Sequence, residues 1–454
     1  MSAWATVLDI PLLLDMICAR LWTNDIKNCA ACCKAWHSAF GPYRFRKQGI
    51  TFMRRDKLNH DRFSFLYHNG HHIRDLRIQV PHLEIFDSSR CTSLRKLELH
   101  FMDGDDGDET DGIDPWETTM TQNAKARTNR FARIASLIQQ NQGLRELWIG
   151  LPLHLGVGCL ESLDQPILDA VRTHPFLTKI KFGLDMSCLL LAKLINNLPP
   201  QLQDLDIKVS LAYSPNHDLC DAESQTFNSQ SSVLSIRRLI FGDGACFARR
   251  LFIHLLKRCP DVEDLRLPYA YSKGETRYDL TEVAQSLDSD FTRLSSLTVD
   301  CYCPECHPKR DMSVLLEKFS KGFKSLHLSV RGCHRHDDPP NWANTFILER
   351  LLTTPTVATI EVLCFLADFR NGDPIIRILQ NCPQLRVLRV GHLSFCEGMD
   401  ASVLLSSMKK PWKCQDTLEE LQLKIRENTH DSEQDLQQLR LRLKSFPRSV
   451  ILIS

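Results

Sequence analysis

The stretch N-C-A-A-C-C-K-A-W, which begins at Asn28, places three cysteines within five residues. A zinc site requires about four ligands that converge from two segments, and no second Cys/His pair lies nearby. The strand followed by C-x-x-C that marks a thioredoxin-like redox centre is also missing. On a continuous helix Cys29 and Cys33 share one face, whereas Cys32 lies about 100° away. We therefore predict that these cysteines are small apolar side chains of a helix, not a metal or redox centre.

A second group of possible metal ligands lies in C-Y-C-P-E-C-H, Cys301 to His307, and in C-H-R-H, Cys333 to His336. Each stretch directly follows a predicted strand, and neighbouring parallel strands end at the same edge of a sheet. If the chain binds a metal, we expect one structural zinc with the ligands Cys303, Cys306, Cys333 and His336. Possible substitutes are Cys301, His307 and His334. The alternative is a pair of polar loops with ordinary thiols and no cofactor.

The rest of the sequence carries no sign of catalysis. It contains no G-x-S-x-G, no Walker A sequence, no G-x-G-x-x-G after a strand and no H-E-x-x-H. We therefore predict that the chain is not an enzyme, and a zinc hydrolase is the remaining catalytic alternative.

The charge of the chain is balanced, with 56 basic and 55 acidic residues and a formal net charge of +1. This balance gives no electrostatic reason to expect a nucleic acid or a membrane as partner. The 18 cysteines are scattered, and those such as Cys188 and Cys364 lie in apolar stretches that we interpret as helical, which is typical of reduced, buried thiols. No apolar run reaches the roughly 18 to 20 residues of a membrane span, and the first residues do not resemble a signal peptide. We expect an intracellular protein in the cytoplasm, the nucleus or both.

A six-residue pattern, apolar-x-x-apolar-x-apolar, recurs twelve times along the chain. We number its positions 1 to 6, so that positions 1, 4 and 6 are apolar. The pattern starts at Ile73, Leu94, Leu144, Leu177, Leu202, Ile236, Val262, Leu294, Phe323, Val357, Leu385 and Leu418. From Leu144 onward the starts lie 25 to 34 residues apart. The alternation is typical of half-buried strands, and recurrence at about 30 residues is typical of solenoid repeats.

Helical segments precede several of these hexamers and run into a proline, at Pro175, Pro260, Pro355 and Pro383. Proline cannot continue a helix and favours extended geometry in the residue before it. The sequence therefore predicts repeated units of one helix and one strand, in which each helix packs an apolar face on the strands. An ordinary α/β sheet of alternating helices and strands is the alternative.

This arrangement resembles the leucine-rich repeat family from about Ile73 to Ile425, and C-P-x-V/L-x-x-L-x-L at Cys259 and Cys382 resembles its cysteine-containing subtype. The resemblance implies an α/β solenoid of alternating helices and short parallel strands over residues 73–430. An acidic insertion, 103–114, and a polar loop, 216–232, interrupt it. Residues 431–454 would form a C-terminal cap.

Residues 1–50 carry a different pattern and are predicted to form a small all-helical module, which residues 51–72 connect to the repeats. Pro11 stands where a first helix would begin. One face of that helix carries Leu13, Leu14, Ile17 and Leu21. A second helix is predicted from the apolar residues Ile26, Cys29, Ala30, Cys32, Cys33 and Trp36.

The module resembles the F-box, a short helical domain that docks onto the Skp-type adaptor of cullin-based ubiquitin ligases. Ile10-Pro11 matches the Leu-Pro opening of the family, Asp25-Ile26 its acidic-aliphatic pair, and Cys32 to Trp36 its final V-C-x-x-W, whereas Leu12 replaces a common glutamate. The resemblance implies adaptor contacts by Ile10, Pro11, Leu14, Ile17, Leu21, Ile26, Cys32 and Trp36. The alternative is a helical cap that covers the first repeat.

The outward-facing residues of the strands are candidates for binding a target protein, because successive side chains of a strand alternate between its two faces. They are Trp148, Lys179, Lys181, Asp204, Asp206, Arg238, Asp264, Arg266 and Arg389. An exposed tryptophan among charges of both signs is typical of a protein-binding hot spot. A merely solvated face is the alternative for each residue.

Together the two resemblances imply the substrate-recognition subunit of an SCF-type, cullin-based ubiquitin ligase. The first module would bind the adaptor and its ligase core, and the repeats would hold a target protein. The alternative function is a leucine-rich repeat scaffold for protein interactions that has no connection to ubiquitin ligation.

Overall fold

Helices and parallel strands alternate through the computed structural model of the chain. It describes residues 10–45, 47–50, 67–80, 90–101, 132–150, 164–183, 188–208, 233–241, 249–268, 293–301, 323–330, 348–366, 373–390, 401–423, 430–444 and 452–453. The chain divides into two units, Met1–Leu205 and Asp206–Ser454. Among the described helices, none is both long and apolar enough to cross a membrane.

Three short helices open the first unit: α1 (Pro11–Arg20), α2 (Thr23–Cys32) and α3 (Lys34–Phe40). Pro11 lies in the first turn of α1, where its missing N–H costs no helical hydrogen bond. The backbone N–H of Trp22 donates to Asp25 Oδ2 at 3.1 Å and so fixes the start of α2. Cys33 is extended, with φ −161° and ψ 170°. The prediction of one helix from Ile26 to Trp36 is therefore wrong, because the chain breaks at Cys33.

A small apolar core joins the three helices. Its buried members are Leu14, Cys18, Ile26, Ala30 and Phe40, and the partly buried Leu21, Cys29, Trp36, Ala39 and Tyr43 pack against it. The rings of Trp36 and Phe40 lie 5.3 Å apart between centroids. This core takes up one side of α1 and leaves the rest of its apolar surface outside.

The strands of the first unit follow a short 3₁₀ helix, Pro42–Phe45. They are β1 (Lys47–Ile50), β2 (Asp75–Val80), β3 (Lys96–Phe101), β4 (Glu146–Gly150), β5 (Lys179–Gly183) and β6 (Asp204–Lys208), which spans the division between the units. Each strand from β1 to β4 pairs in parallel with the next one along the chain. Helical residues 132–140 precede β4, α4 (Asp164–Thr173) precedes β5, and α5 (Cys188–Asn196) precedes β6.

The second unit repeats this arrangement. Its further strands are β7 (Arg238–Phe241), β8 (Asp264–Pro268), β9 (Ser296–Cys301), β10 (Ser325–Val330), β11 (Val362–Leu366), β12 (Val387–Val390), β13 (Glu420–Leu423) and β14 (Leu452–Ile453). Each strand from β7 to β13 pairs in parallel with the next. The described helices are α6 (Arg249–Arg258), α7 (Asp373–Asn381), α8 (Ala401–Ser407) and α9 (His430–Leu443).

The predicted alternation of helices with parallel strands is confirmed, and eleven of the twelve hexamers lie at the predicted register. In these eleven, the side chains at positions 1, 4 and 6 are at most 7% exposed. The consequence is a continuous apolar layer beneath the strands of each unit.

The twelfth hexamer, predicted to start at Val357, is wrong by three residues. Leu326 of β10 pairs with Leu363, so the buried triplet of β11 is Ile360, Leu363 and Phe365. Pro355 does not lead directly into a strand, as the sequence predicts, but opens a 3₁₀ helix, Pro355–Ala358, which inserts an extra turn. Cys364 therefore belongs to strand β11 and not to a helix.

Two strands had no expected hexamer. β1 lies inside residues 1–50, the range assigned to an all-helical module, and pairs with β2. Counted in the register of β2, its hexamer reads F-R-K-Q-G-I, with Gln48 at position 4. β14 reads S-V-I-L-I-S in the register of β13, with serine at positions 1 and 6. Both strands lack the apolar triplet that reveals the others.

One main-chain contact recurs at ten of the described strand entries. The carbonyl oxygen at position 2 of a strand unit accepts the backbone N–H groups of both positions 2 and 3 of the next unit. Arg74, Arg95, Arg145, Thr178, Arg237, Glu263, Ser295, Lys324, Glu361 and Arg386 all do so, at N–O distances of 2.6 to 3.0 Å. Position 2 is therefore a fixed structural position in both units.

Buried polar side chains join neighbouring turns in the first unit. Asn141 is fully buried; its Oδ1 accepts the N–H of Leu94 at 2.8 Å, and its Nδ2 donates to the Leu137 carbonyl at 2.7 Å. The carbonyl of Asn141 lies 2.9 Å from Nε2 of the buried His174, and the His174 carbonyl accepts Gln201 Nε2 at 2.6 Å. A hydrogen-bonded chain thus crosses three successive helix-to-strand turns.

We predict that Asn141→Ala lowers the free energy of unfolding by about 2 to 4 kcal/mol, because a buried N–H and a buried carbonyl lose their partner. The matched control is Gln142→Ala, an exposed side chain bonded only to the Gln139 carbonyl, which should change stability by less than about 0.5 kcal/mol. Urea titration of the full chain measures both values. Equal stability of the two variants would contradict the role of Asn141.

Candidate protein-interaction surfaces

One side of helix α1 exposes apolar side chains instead of polar ones. Leu12 is 69% exposed, Met16 55%, and Leu13 and Ile17 37% each. On a helix of 100° per residue these four cover an arc of about 140°, next to the buried arc of Leu14, Cys18 and Leu21. Ile10 and Trp22, 42% and 82% exposed, flank the helix at its two ends. We call Ile10, Leu12, Leu13, Met16, Ile17 and Trp22 the α1 face.

The residues predicted to contact an adaptor fall into two groups. Ile10, Ile17 and Cys32 are exposed, whereas Leu14 and Ile26 are buried in the helical core and Leu21 and Trp36 are half-buried against it. Pro11 is the first residue of α1. The second group supports the helices from within, so only the first group is available to a partner.

Cys29, Cys32 and Cys33 form no metal site within the described residues. Cys29 packs against the helical core, and burial raises the pKa of its thiol, with smaller contributions from Cys32 and Asp25. Cys32 is exposed and its Sγ donates to the Asn28 carbonyl at 3.3 Å; Cys33 is exposed in the break between helices. Within the described part of the chain, no three His, Cys, Asp or Glu side chains converge to hold a metal ion.

The expected zinc site falls outside the described residues. Cys303, Cys306, Cys333, His336 and the substitutes His307 and His334 lie outside the described residues, as do the segments 103–114 and 216–232. Cys301 ends strand β9.

Trp148 is the centre of the outward surface in the first unit, and it is half-buried rather than exposed as predicted. Its ring lies 4.2 Å from the ring of His100 on β3, and Lys181 Nζ on β5 lies 4.8 Å from its centroid. Gly150 and Gly183 are paired neighbours beside the indole edge, and a Cβ at either would lie in ordinary van der Waals contact with its Nε1. The tryptophan therefore rests on the sheet between a histidine and a lysine.

The predicted target-binding residues occupy two rows of the outward surface. At position 3 lie Lys179, Asp204, Arg238 and Asp264, and at position 5 lie Trp148, Lys181, Asp206, Arg266 and Arg389. Lys179 Nζ lies 3.6 Å from Glu146 and 3.4 Å from Asp204. In the second unit Arg238 lies 3.2 Å from Asp264. Such exposed pairs contribute little to stability, but they fix which charges face a partner.

Arg389 is held in place by a two-pronged ion pair. Its Nε and Nη2 donate to the two carboxylate oxygens of Glu420 at 2.8 and 2.9 Å. This hydrogen bonding lowers the pKa of Glu420 and raises the pKa of Arg389. Arg389 is thus already satisfied by its own sheet and is a poor choice for a partner contact.

Sequence reasoning missed the contribution of position 2, which lies on the edge where strands enter the sheet. In the second unit its charges alternate along the edge: Arg237, Glu263, Ser295, Lys324, Glu361, Arg386 and Glu419. Arg386 Nη2 lies 2.8 Å from Glu419, and Lys324 Nζ lies 3.4 Å from Glu361. The hexamer pattern counted position 2 as an arbitrary residue, although aligning the hexamers already brings these charges side by side.

Comparison with known proteins assigns no family. No protein-family model matches the chain, and no curated protein has a significantly similar sequence.

We predict that native alkylation separates the cysteines by burial. Burial raises the pKa of the Cys259, Cys382 and Cys414 thiols to about 12, so at pH 8.5 on the order of 10⁻³ of each or less is thiolate, the form that reacts. Iodoacetamide should label the exposed Cys32 and Cys33 within the time in which these three stay unmodified, as read by peptide mass mapping. Denatured protein, in which all react, is the control. Equal native labelling of Cys382 and Cys32 would contradict the described burial.

Proposed function

We propose that the protein is a substrate receptor of an SCF-type ubiquitin ligase: an F-box-like helical module that binds a Skp-type adaptor, followed by a leucine-rich repeat solenoid that holds a target protein. The observation that carries the proposal is the α1 face, where a two-turn apolar surface stays exposed beside a well-packed helical core. An isolated folded domain gains nothing from such a surface, which is typical of an interaction site.

The helical core explains how the α1 face would be presented. Leu14 and Cys18 hold α1 on the helical core, so the side chains of the adjoining arc stay outside that core. Fully burying one Leu, Ile or Met side chain contributes about 1.5 to 3 kcal/mol. Because Leu12, Leu13, Met16 and Ile17 are only partly exposed, covering all four would offset part of the cost of association, which is on the order of 4 to 15 kcal/mol.

The parallel strands support the second half of the proposal. Strand order follows chain order within each unit, the apolar triplets are buried, and the charged residues of positions 3 and 5 lie on the other side of the strands. A repeat array of this kind offers a broad surface to a protein partner. In this function the chain itself makes and breaks no covalent bonds: it brings the target to the ligase core.

We predict that the full chain copurifies with a recombinant Skp-type adaptor and that Met16→Glu, Ile17→Glu weakens this binding by roughly 10- to 100-fold, since two buried apolar contacts are replaced by charges. The control Ala31→Glu, Ser38→Glu adds the same charge at exposed positions of α2 and α3 and should bind as the parent does. Titration calorimetry measures the affinities, and circular dichroism checks that both variants are folded.

Absence of adaptor binding by the folded parent chain would remove the ligase connection and leave the repeat scaffold. Equal loss in the two double variants would instead show that charge in the module, and not the α1 face, governs binding.

A further inference from the structure

The edge of the first unit carries three arginines side by side at position 2: Arg74, Arg95 and Arg145. We call them the arginine edge. They directly precede β2, β3 and β4, which are paired so that Asp75 lies opposite Lys96 and Lys96 opposite Glu146. The main chains at these positions are therefore one strand spacing apart, about 4.8 Å.

Like charges at this spacing repel, and the other described rows of charged side chains avoid them. At position 3 of the same strands the signs alternate from Asp75 through Lys96, Glu146 and Lys179 to Asp204. At position 2 of the second unit the signs alternate as well, and the neighbours pair. The arginine edge is the exception.

Two members of the arginine edge have no side-chain partner within the described part of the protein. Arg74 is half-buried, and its Nη1 donates to the Ser93 carbonyl at 2.9 Å. Arg95 and Arg145 are exposed, and neither side chain has a hydrogen bond or ion pair within the described part of the protein. Two exposed arginines thus stand at the starts of adjacent strands, and Arg74 stands next to Arg95 at the start of the strand before them.

We propose that Arg95 and Arg145 bind a carboxylate-rich segment of a partner protein. The second unit shows which chemistry suits this position, because there Arg386 Nη2 donates to both carboxylate oxygens of Glu419, at 3.1 and 2.8 Å. In the first unit the neighbouring strands supply arginine where glutamate would stand, so the matching carboxylates come from another chain.

The geometry favours an extended acidic peptide. Side chains on the same side of an extended peptide lie two residues, or about 6.6 to 6.8 Å, apart. Arginine side chains that start 4.8 Å apart and repel each other can spread to this distance, and each planar guanidinium then takes one carboxylate in a two-pronged pair.

A nucleic acid fits the edge less well. Glu146 and Asp75 follow directly at position 3, and the chain as a whole has a net charge of only +1. A polyphosphate backbone gains affinity from many cations in sequence, which this edge does not provide. The inference is independent of adaptor binding, since it concerns a different surface and an experiment without the adaptor.

The test uses the full chain and a fluorescent peptide of alternating glutamate and glycine, measured by anisotropy at low salt. Arg95→Gln, Arg145→Gln should weaken binding about 5- to 30-fold, as expected for the loss of two exposed ion pairs. The matched control Arg237→Gln, Arg386→Gln removes two arginines at the same structural position in the second unit, where they pair within the sheet. It should bind the peptide as the parent does.

Stability gives a second readout. Removing mutually repelling arginines should leave the melting temperature of the Arg95, Arg145 variant unchanged or higher, whereas the control variant loses its ion pairs and should not gain. A lower melting temperature of the Arg95, Arg145 variant would show that it loses binding because it unfolds.

Several outcomes would overturn the proposal. The first is that the parent chain does not bind the peptide. The second is that a peptide with glutamine in place of glutamate binds equally well. The third is that the two double variants weaken binding to the same extent. Stronger binding of a phosphoserine peptide or a DNA oligonucleotide would reject carboxylates as the ligand. If the peptide binds only after the aspartates within 103–114 are replaced by asparagine, the arginines pair with this chain's own acidic stretch and not with a partner.

Discussion

Within each unit the arrangement of the strands depends on the carbonyl oxygen at position 2, which accepts two N–H groups of the next strand unit at ten of the described strand entries. Because this contact lies at position 2, it fixes where each strand starts and hence which side chains are buried. Three positions then face the helices and two face outward, strand after strand. The same contact aligns the side chains at position 2 into a row, so their charges must either pair or repel. Both solutions occur: paired charges in the second unit and the arginine edge in the first.

The turn from helix to strand is the place where buried polar groups must be satisfied, since a helix leaves its last carbonyls without partners. Asn141 meets this need with its side-chain amide, and Cys414 does so weakly through its thiol, whose Sγ lies 3.4 Å from the Leu379 carbonyl. Cys259 and Cys382 occupy the corresponding turns and are fully buried. Burial in these turns raises the pKa of the Cys259, Cys382 and Cys414 thiols, so a small apolar side chain that fits the packing is also chemically inert there.

In the helical module, by contrast, part of the apolar surface stays exposed. Helix α1 is apolar around most of its circumference, but α2 and α3 are too short to cover more than one side of it. What the small core leaves outside is the α1 face. A module that cannot bury its own apolar residues is suited to bind a partner, and this physical mismatch, more than any single motif, supports the proposed docking role.

Much of this could be derived from the sequence because burial of alternate side chains leaves a local pattern. Eleven hexamers, the position of Pro11 at a helix start and the outward placement of the charges followed from spacing alone. The pattern failed where its physical cause was absent: β1 and β14 lack the apolar triplet, and the 3₁₀ turn after Pro355 moved β11 by three residues, which only pairing with β10 could reveal.

The sequence by itself determined the alternation of helix and strand, since apolar periodicity is a property of neighbouring residues. Only the tertiary structure decided which side chains stay free to act. Trp148 is half-buried because His100 and Lys181 come from other strands, Arg389 is satisfied because Glu420 lies beside it, and Arg95 faces Arg145 because β3 pairs with β4. Contacts of this kind join residues far apart in the chain, and no local pattern records them.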